Sequence, residues 1–160
     1  RSINTRAECE AFVGACRYPP AGYRSLGPTR ARVALGADYA QHANREILTI
    51  AMVETREALA NVDDIASVDG LDMIFVGTGD LRLSLTGGIG FDSDDTEVDA
   101  ALDTIVSACR ANNIQAGLFT ASSAYAKQMI ARGFNFVTVK TDSMILSEYA
   151  QQLVSDTKSK

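Results

Sequence analysis

Two carboxylates stand where apolar, β-forming runs end. Glu54 closes the run 47–53 (ILTIAMV) and is followed by Thr55-Arg56-Glu57. Asp80 follows the run 73–77 (MIFVG), after Gly77-Thr78-Gly79. If the two runs are consecutive parallel strands, both acids emerge at one rim of a sheet. Oxygen donors of this kind suit Mg2+ or Mn2+, which keep waters or substrate oxygens in their remaining positions. The competing role is capping: an Asp or Glu at a strand-to-helix junction often satisfies the first amides of the next helix, and spacing alone favours that role. The turn Gly77-Thr78-Gly79-Asp80-Leu81 has a second use, because its glycines let backbone amides face a carboxylate or phosphate at a helix N-terminus. The stretch Thr86-Gly87-Gly88-Ile89-Gly90 reads as a flexible rim loop rather than a phosphate cradle.

The elements that must position these residues follow from periodicity. Four short apolar runs, 47–53, 73–77, 115–119 and 136–139, show little polar alternation, the pattern of strands covered on both faces. Amphipathic segments fill the gaps: 5–17 ahead of the first strand, then 57–65, 94–111, 122–132 and 143–154. Gly133 suits a C′ residue, Asp142 an N-cap, and the tail DTKSK is expected to fray. Strands separated by helices imply a parallel sheet with right-handed crossovers and ligands at the strand C-termini. Pattern alone favours an open doubly wound sheet over part of a (β/α)8 barrel, since a whole barrel needs about 250 residues and the chain has 160.

Composition narrows the partners. With 46% hydrophobic and 22% charged residues and a formal charge of -5, the chain has a globular composition and no clustered basic footprint for nucleic acid. No apolar run approaches the roughly 20 residues of a membrane span. Cys9, Cys16 and Cys109 form no metal-ligand or disulfide pattern and read as reduced thiols of a cytoplasmic protein.

The segment CRYPPAGYRSLGP at 16–28, the strand end VETREAL at 53–59 and the turn IFVGTGDLRLSL at 74–85 resemble, in order, motifs of the HpcH/HpaI class of 2-oxo-acid aldolases. The resemblance implies a TIM barrel of which residues 1–160 form the C-terminal half, strands five to eight with their helices, the N-terminal half being absent. It reverses the preference for an open sheet. It implies that Glu54 and Asp80 hold a divalent cation, Mg2+ or Mn2+ with Co2+ or Zn2+ as alternatives. The amides of Gly79 and Asp80 would hold a 2-oxo acid's carboxylate, Thr78 lies in the same turn, and Phe119 forms an apolar wall. Tyr39 is a weaker pocket candidate, with packing the better role. The implied activity is cleavage of 4-hydroxy-2-oxo acids to pyruvate and an aldehyde, through an enolate stabilised by the cation as Lewis acid.

The sequence also departs from the family pattern. Thr78 and Gly79 stand where many members have proline and alanine, which bears on the shape of the carboxylate pocket. The family's base histidine and enolate-binding arginine come from early strands. No catalytic residue is therefore assigned within this chain, and His42 lies in a helix before the first strand. Rival readings are oxaloacetate decarboxylation, a non-catalytic half-barrel that binds metal or a 2-oxo acid, and an unrelated α/β domain. Relatives assemble as hexamers, so a homo-oligomer or a companion N-terminal half is the expected partner.

Overall fold

The computed structural model describes residues 2–27 and 29–158. Arg1, Pro28 at the end of the 16–28 motif, and Ser159 and Lys160 of the tail lie outside the described residues. Three helices precede the first strand: α1 (Arg6–Cys16), α2 (Arg30–Leu35) and α3 (Tyr39–Glu46). The strands are β1 (Ile50–Val53), β2 (Met73–Val76), β3 (Gln115–Thr120) and β4 (Phe136–Val139). Between β1 and β2 lie α4 (Arg56–Ala60) and α5 (Val62–Ala66), and between β2 and β3 lie α6 (Thr78–Thr86) and α7 (Thr96–Ala111). Helix α8 (Ser123–Arg132) joins β3 to β4, and α9 (Asp142–Lys158) follows.

All strand pairs are parallel and the order is β1-β2-β3-β4. Crossovers between parallel strands are right-handed, so a sheet whose order follows the chain gathers its helices on one face. A doubly wound sheet needs a reversal of order, and none occurs across these strands. The pattern-based preference for that architecture is corrected here; the singly wound sheet is of the (β/α)-barrel type.

Side-chain parity shows the same division. Ala51, Val53, Ile74, Val76, Ala116 and Leu118 share one core with Val62 and Ile65 of α5, Leu81 of α6, Leu102 and Ile105 of α7, and Met129 of α8. Ile74, Leu102, Ile105 and Leu118 are fully buried, and each such side chain stabilises the fold by about 1.5–3 kcal/mol. On the opposite parity Ile50, Met52, Phe75 and Phe119 are half buried and Phe136 is exposed, with Met73 the buried exception among the large side chains. Strands expected to be covered on both faces are thus covered on one. Along the free edge of β1, Ser2 bridges Met52 in parallel and the Ile3 N–H donates to the Met52 carbonyl at 2.9 Å.

Element ends differ from the periodicity for identifiable reasons. The first strand begins at Ile50 rather than residue 47, because Thr49 N–H donates to the Asp72 carboxylate at 2.6 Å and the Ile47 carbonyl accepts from Arg17. The segment 57–65 breaks at Asn61, whose side-chain amide donates to the Asn4 carbonyl at 2.9 Å. Gly133 ends α8 in the left-handed region at φ 120°, as its position suggested. Helix α9 continues to Lys158, so residues 156–158 are helical. Its capping hydroxyl is that of Thr141, which accepts from Met144 N–H at 3.2 Å, in place of Asp142. The three cysteines are free, and burial pushes the Cys9 and Cys109 thiols up to about 11. No described helix is long and apolar enough to cross a membrane.

Candidate metal and carboxylate site

Glu54 extends the half-covered parity of Ile50 and Met52 by one step beyond β1. Since Val53 pairs with Val76, the next position on β2 is Gly77. A Cβ built on Gly77 would lie 2.2 Å from Glu54 Oε2, so no side chain fits there without displacing the carboxylate. Burial pushes the Glu54 carboxyl above its ordinary value, and the negative charge of Asp80 pushes it the same way. The acids from two consecutive strand ends therefore act on one another, as their spacing suggested.

Capping does not account for Glu54, whereas Asp80 sits where the dipole of α6 favours an acid. The N-cap of α4 is Thr55, whose hydroxyl accepts from Ala58 N–H at 3.0 Å, which leaves Glu54 outside the cap. The N-cap of α6 is Gly77, which has no side chain to offer, and Asp80 sits in the first turn. The first amides of a helix have no partner within it, so Thr78, Gly79 and Asp80 present N–H groups at a dipole end that favours anions. Neighbouring cations are engaged elsewhere. Arg82 pairs with Asp95 at 2.8 Å and donates to the Ile89 carbonyl at 2.8 Å, while Arg56 pairs with Glu97 at 2.9 Å. Among the described residues neither Glu54 nor Asp80 enters an ion pair.

The other residues singled out from sequence separate into two groups. Buried Thr78 donates its hydroxyl to the Phe119 carbonyl at 3.0 Å, tying the α6 N-terminus to the end of β3. Phe119 lies on the half-covered face at that end, with its ring 4.8 Å from Phe91 in an edge-to-face contact. Tyr39 belongs elsewhere: it packs with Tyr18 and Ala43, and its hydroxyl accepts from Arg24 at 3.2 Å. His42 is half buried on α3, 3.8 Å from Glu46.

Two contributors were not foreseen. Phe91 lies in the loop after α6 and covers Gly79, where an added Cβ would come within 2.8 Å of its ring. The sequence hint was Gly79, whose missing side chain leaves room for that ring. Arg17 of the 16–28 segment is buried beneath the opposite end of the sheet. It donates to the Gly70 carbonyl at 3.2 Å and to Asp72 at 3.0 Å, which makes it a structural anchor remote from Glu54.

The donor chemistry fits a hard divalent cation: two carboxylates, unneutralised by any described ion pair, on a rim beside free amides. No set of three or more His, Cys, Asp or Glu residues able to hold a metal occurs among the described residues. Glu54 and Asp80 would therefore be the chain's own ligands, with other positions left to water or substrate.

Fold and site together define a (β/α)-barrel sheet with an acidic, amide-lined C-terminal rim. Residues 2–148 match the model of the HpcH/HpaI aldolase/citrate lyase family, and the chain belongs to that family. It is 39% identical over 156 residues to the hydroxypyruvate/pyruvate aldolase of Rhizorhabdus wittichii, covering 98% of this chain and 62% of that protein. The 4-hydroxy-2-oxo-heptane-1,7-dioate aldolase of Salmonella paratyphi B is 34% identical, with 96% of this chain and 59% of the relative covered. A crystal structure of an HpcH/HpaI aldolase/citrate lyase family protein from Burkholderia cenocepacia superposes with a TM-score of 0.87 at 29% identity. That match covers 98% of this chain and 63% of the other. The chain thus spans about 60% of the length of the relatives it matches.

Proposed function

We propose that this chain carries the cation- and carboxylate-binding side of a class II aldolase site for 4-hydroxy-2-oxo acids that release pyruvate. The observation that supports this most is the mutual placement of Glu54 and Asp80 beside the open α6 N-terminus, with Gly77 kept bare for the Glu54 carboxylate. In this reading Glu54 and Asp80 hold Mg2+ or Mn2+, which supplies Lewis-acid stabilisation of the negative charge that develops on the 2-oxo oxygen. The Gly79 and Asp80 amides orient the substrate carboxylate. Phe119 shields the reacting carbons from water, and Thr78 fixes the turn against β3.

The relatives named above act on hydroxypyruvate or pyruvate and on a 4-hydroxy-2-oxo diacid, in line with this assignment. The base and the enolate-binding arginine are assigned to residues outside this chain. The four strands correspond to strands five to eight of a complete barrel. A homo-oligomeric assembly is part of the proposal, supported by α9, which buries no residue and exposes Leu146, Tyr149 and Leu153.

Titration calorimetry tests the site. Mn2+ should bind the chain, and pyruvate should bind only once Mn2+ is present. Glu54→Gln and Asp80→Asn should each weaken Mn2+ binding at least tenfold. A folded chain that takes up neither ligand, or variants that bind as the unaltered chain does, would overturn the assignment.

A further inference from the structure

We propose that Asn4 is a positioning residue of the cation site, setting the place of the Glu54 carboxylate through a hydrogen bond with the next residue, Thr55. The assignment rests on the function proposed above, since it takes Glu54 as a ligand.

Asn4 reaches the site along the edge of the sheet. Ser2 bridges Met52 in parallel, and two residues further in the same register Asn4 stands level with Glu54. Its side-chain oxygen accepts from the Thr55 hydroxyl at 2.5 Å. Its carbonyl accepts from the Asn61 side-chain amide at 2.9 Å, and its N–H donates to the Glu8 carboxylate at 2.7 Å. Helix capping does not call for the first of these bonds. The N-cap of α1 is Thr5, whose hydroxyl accepts from Glu8 N–H at 3.2 Å, so the Asn4 oxygen is free of that task. Thr55 caps α4 by accepting from Ala58 N–H at 3.0 Å, and an N-cap hydroxyl needs only to accept. Its donation to Asn4 is an additional tie between segments far apart in the chain.

The tie falls where the sheet stops holding the chain. The pairing of β1 with β2 ends at Val53 and Val76, so Glu54 lies one residue past the ladder. Beyond it Thr55 is fixed to Asn4, and Arg56 N–H donates to the Ser84 hydroxyl at 3.0 Å, one turn along α6 from Asp80. The Glu54 backbone is thus held by the ladder behind it and two anchors ahead of it, while bare Gly77 admits its carboxylate. Releasing Thr55 leaves the α4 cap in place but frees the ligand-bearing strand end on the Asn4 side. Removing a contact that orients a metal ligand typically costs roughly 10–100-fold in metal affinity.

Calorimetric titration of the 160-residue chain with Mn2+ tests the tie. Asn4→Ala should weaken binding about tenfold. Thr55→Val breaks the same bond from its other end and should weaken binding at least as much. Thr55→Ser keeps the hydroxyl and should bind as the unaltered chain does. Adding Asn4→Ala to Thr55→Val should cause little further loss, because both remove one bond. Melting curves in chelator ensure that only folded chains are compared. Should Asn4→Ala not fold, Thr55→Val against Thr55→Ser carries the comparison, and equal Mn2+ affinity of those two overturns the proposal. A folded Asn4→Ala that melts lower yet binds Mn2+ as the unaltered chain does marks a merely structural contact and overturns it too, as do losses that add in the double variant. If the unaltered chain binds no Mn2+, the functional reading falls, and this one with it.

Discussion

At the scale of single residues, Glu54 links function to stability. Its folded pKa is raised, first by burial and then by the charge of Asp80. A raised acid contributes stability that is present below its unfolded value and lost as pH rises through the folded value. At neutral pH the ionised pair therefore weakens the metal-free fold, and a cation should relieve that repulsion. In chelator at pH 7, Glu54→Gln is expected to melt higher than the unaltered chain, with the gap closing as pH falls below the ordinary carboxylate range. Mn2+ at about a hundred times the unaltered chain's Kd adds about 2.7 kcal/mol, about 5–10 °C for a domain of this size, and should add no more than about half of that to a variant that binds it at least tenfold more weakly. Melting curves with and without Mn2+ at both pH values decide this; a variant that melts lower in chelator contradicts the electrostatic account. The pair was visible in the sequence because Glu54 directly follows one apolar run and Asp80 stands in the turn just after the next. Phe91 was not, because its contacts with Gly79 and Phe119 join three separate segments, and local pattern records no such meeting.

At the scale of elements, short-range pattern located all four strands and left their ends to be set by tertiary contacts. The start of β1 is fixed by a polar knot in which Arg17, Thr49 and Asp72 meet beneath the sheet. Glycine and proline spacing marked the 16–28 segment as unusual but carried no information on which rim it served. Its Arg17 serves the rim opposite Glu54. Burial pushes the Asp72 carboxyl up, but hydrogen bonds from Thr49 and Arg17 outweigh it and leave the group below its ordinary value. A lowered acid contributes stability present above the unfolded value and lost as pH falls through the folded one, so the knot holds at neutral pH and loosens in acid. Arg17→Met removes a buried cation from Asp72 and leaves the Gly70 carbonyl without that donor. The expected loss is about 2–3 kcal/mol in urea unfolding at pH 7, with a smaller difference near pH 3. Mn2+ affinity should stay unchanged, since the knot lies at the far end of the strands. A variant as stable as the parent would show that these bonds only replace equivalent bonds to water.

At the scale of the whole molecule, the unreversed strand order leaves one sheet face without helices, and α9 leaves a second apolar surface uncovered. Neither was legible from hydrophobic periodicity. Period and composition distinguish a buried stripe from a polar one, but not whether the cover comes from the same chain. Helix α9 runs for 17 residues with none buried, while Ile145, Leu146, Tyr149, Leu153 and Val154 are all at least half exposed. A helix of this length is marginal in water when nothing packs on it, and a contiguous exposed apolar strip marks an interaction surface. If copies of the chain cover one another there, α9 amides should exchange slowly at concentrations where sedimentation shows an assembly, and quickly on dilution. Leu146→Asp combined with Leu153→Asp places charge in the strip without touching the sheet. It should raise the dissociation constant of the assembly at least tenfold and expose α9 to exchange, leaving the far-ultraviolet spectrum of the remaining helices and Mn2+ binding at Glu54 and Asp80 as they were. A chain that sediments as a monomer while its α9 amides stay protected would remove self-association as the cover. The helix would then have to be held by contacts within its own chain, a role for which α9 offers no buried side chain.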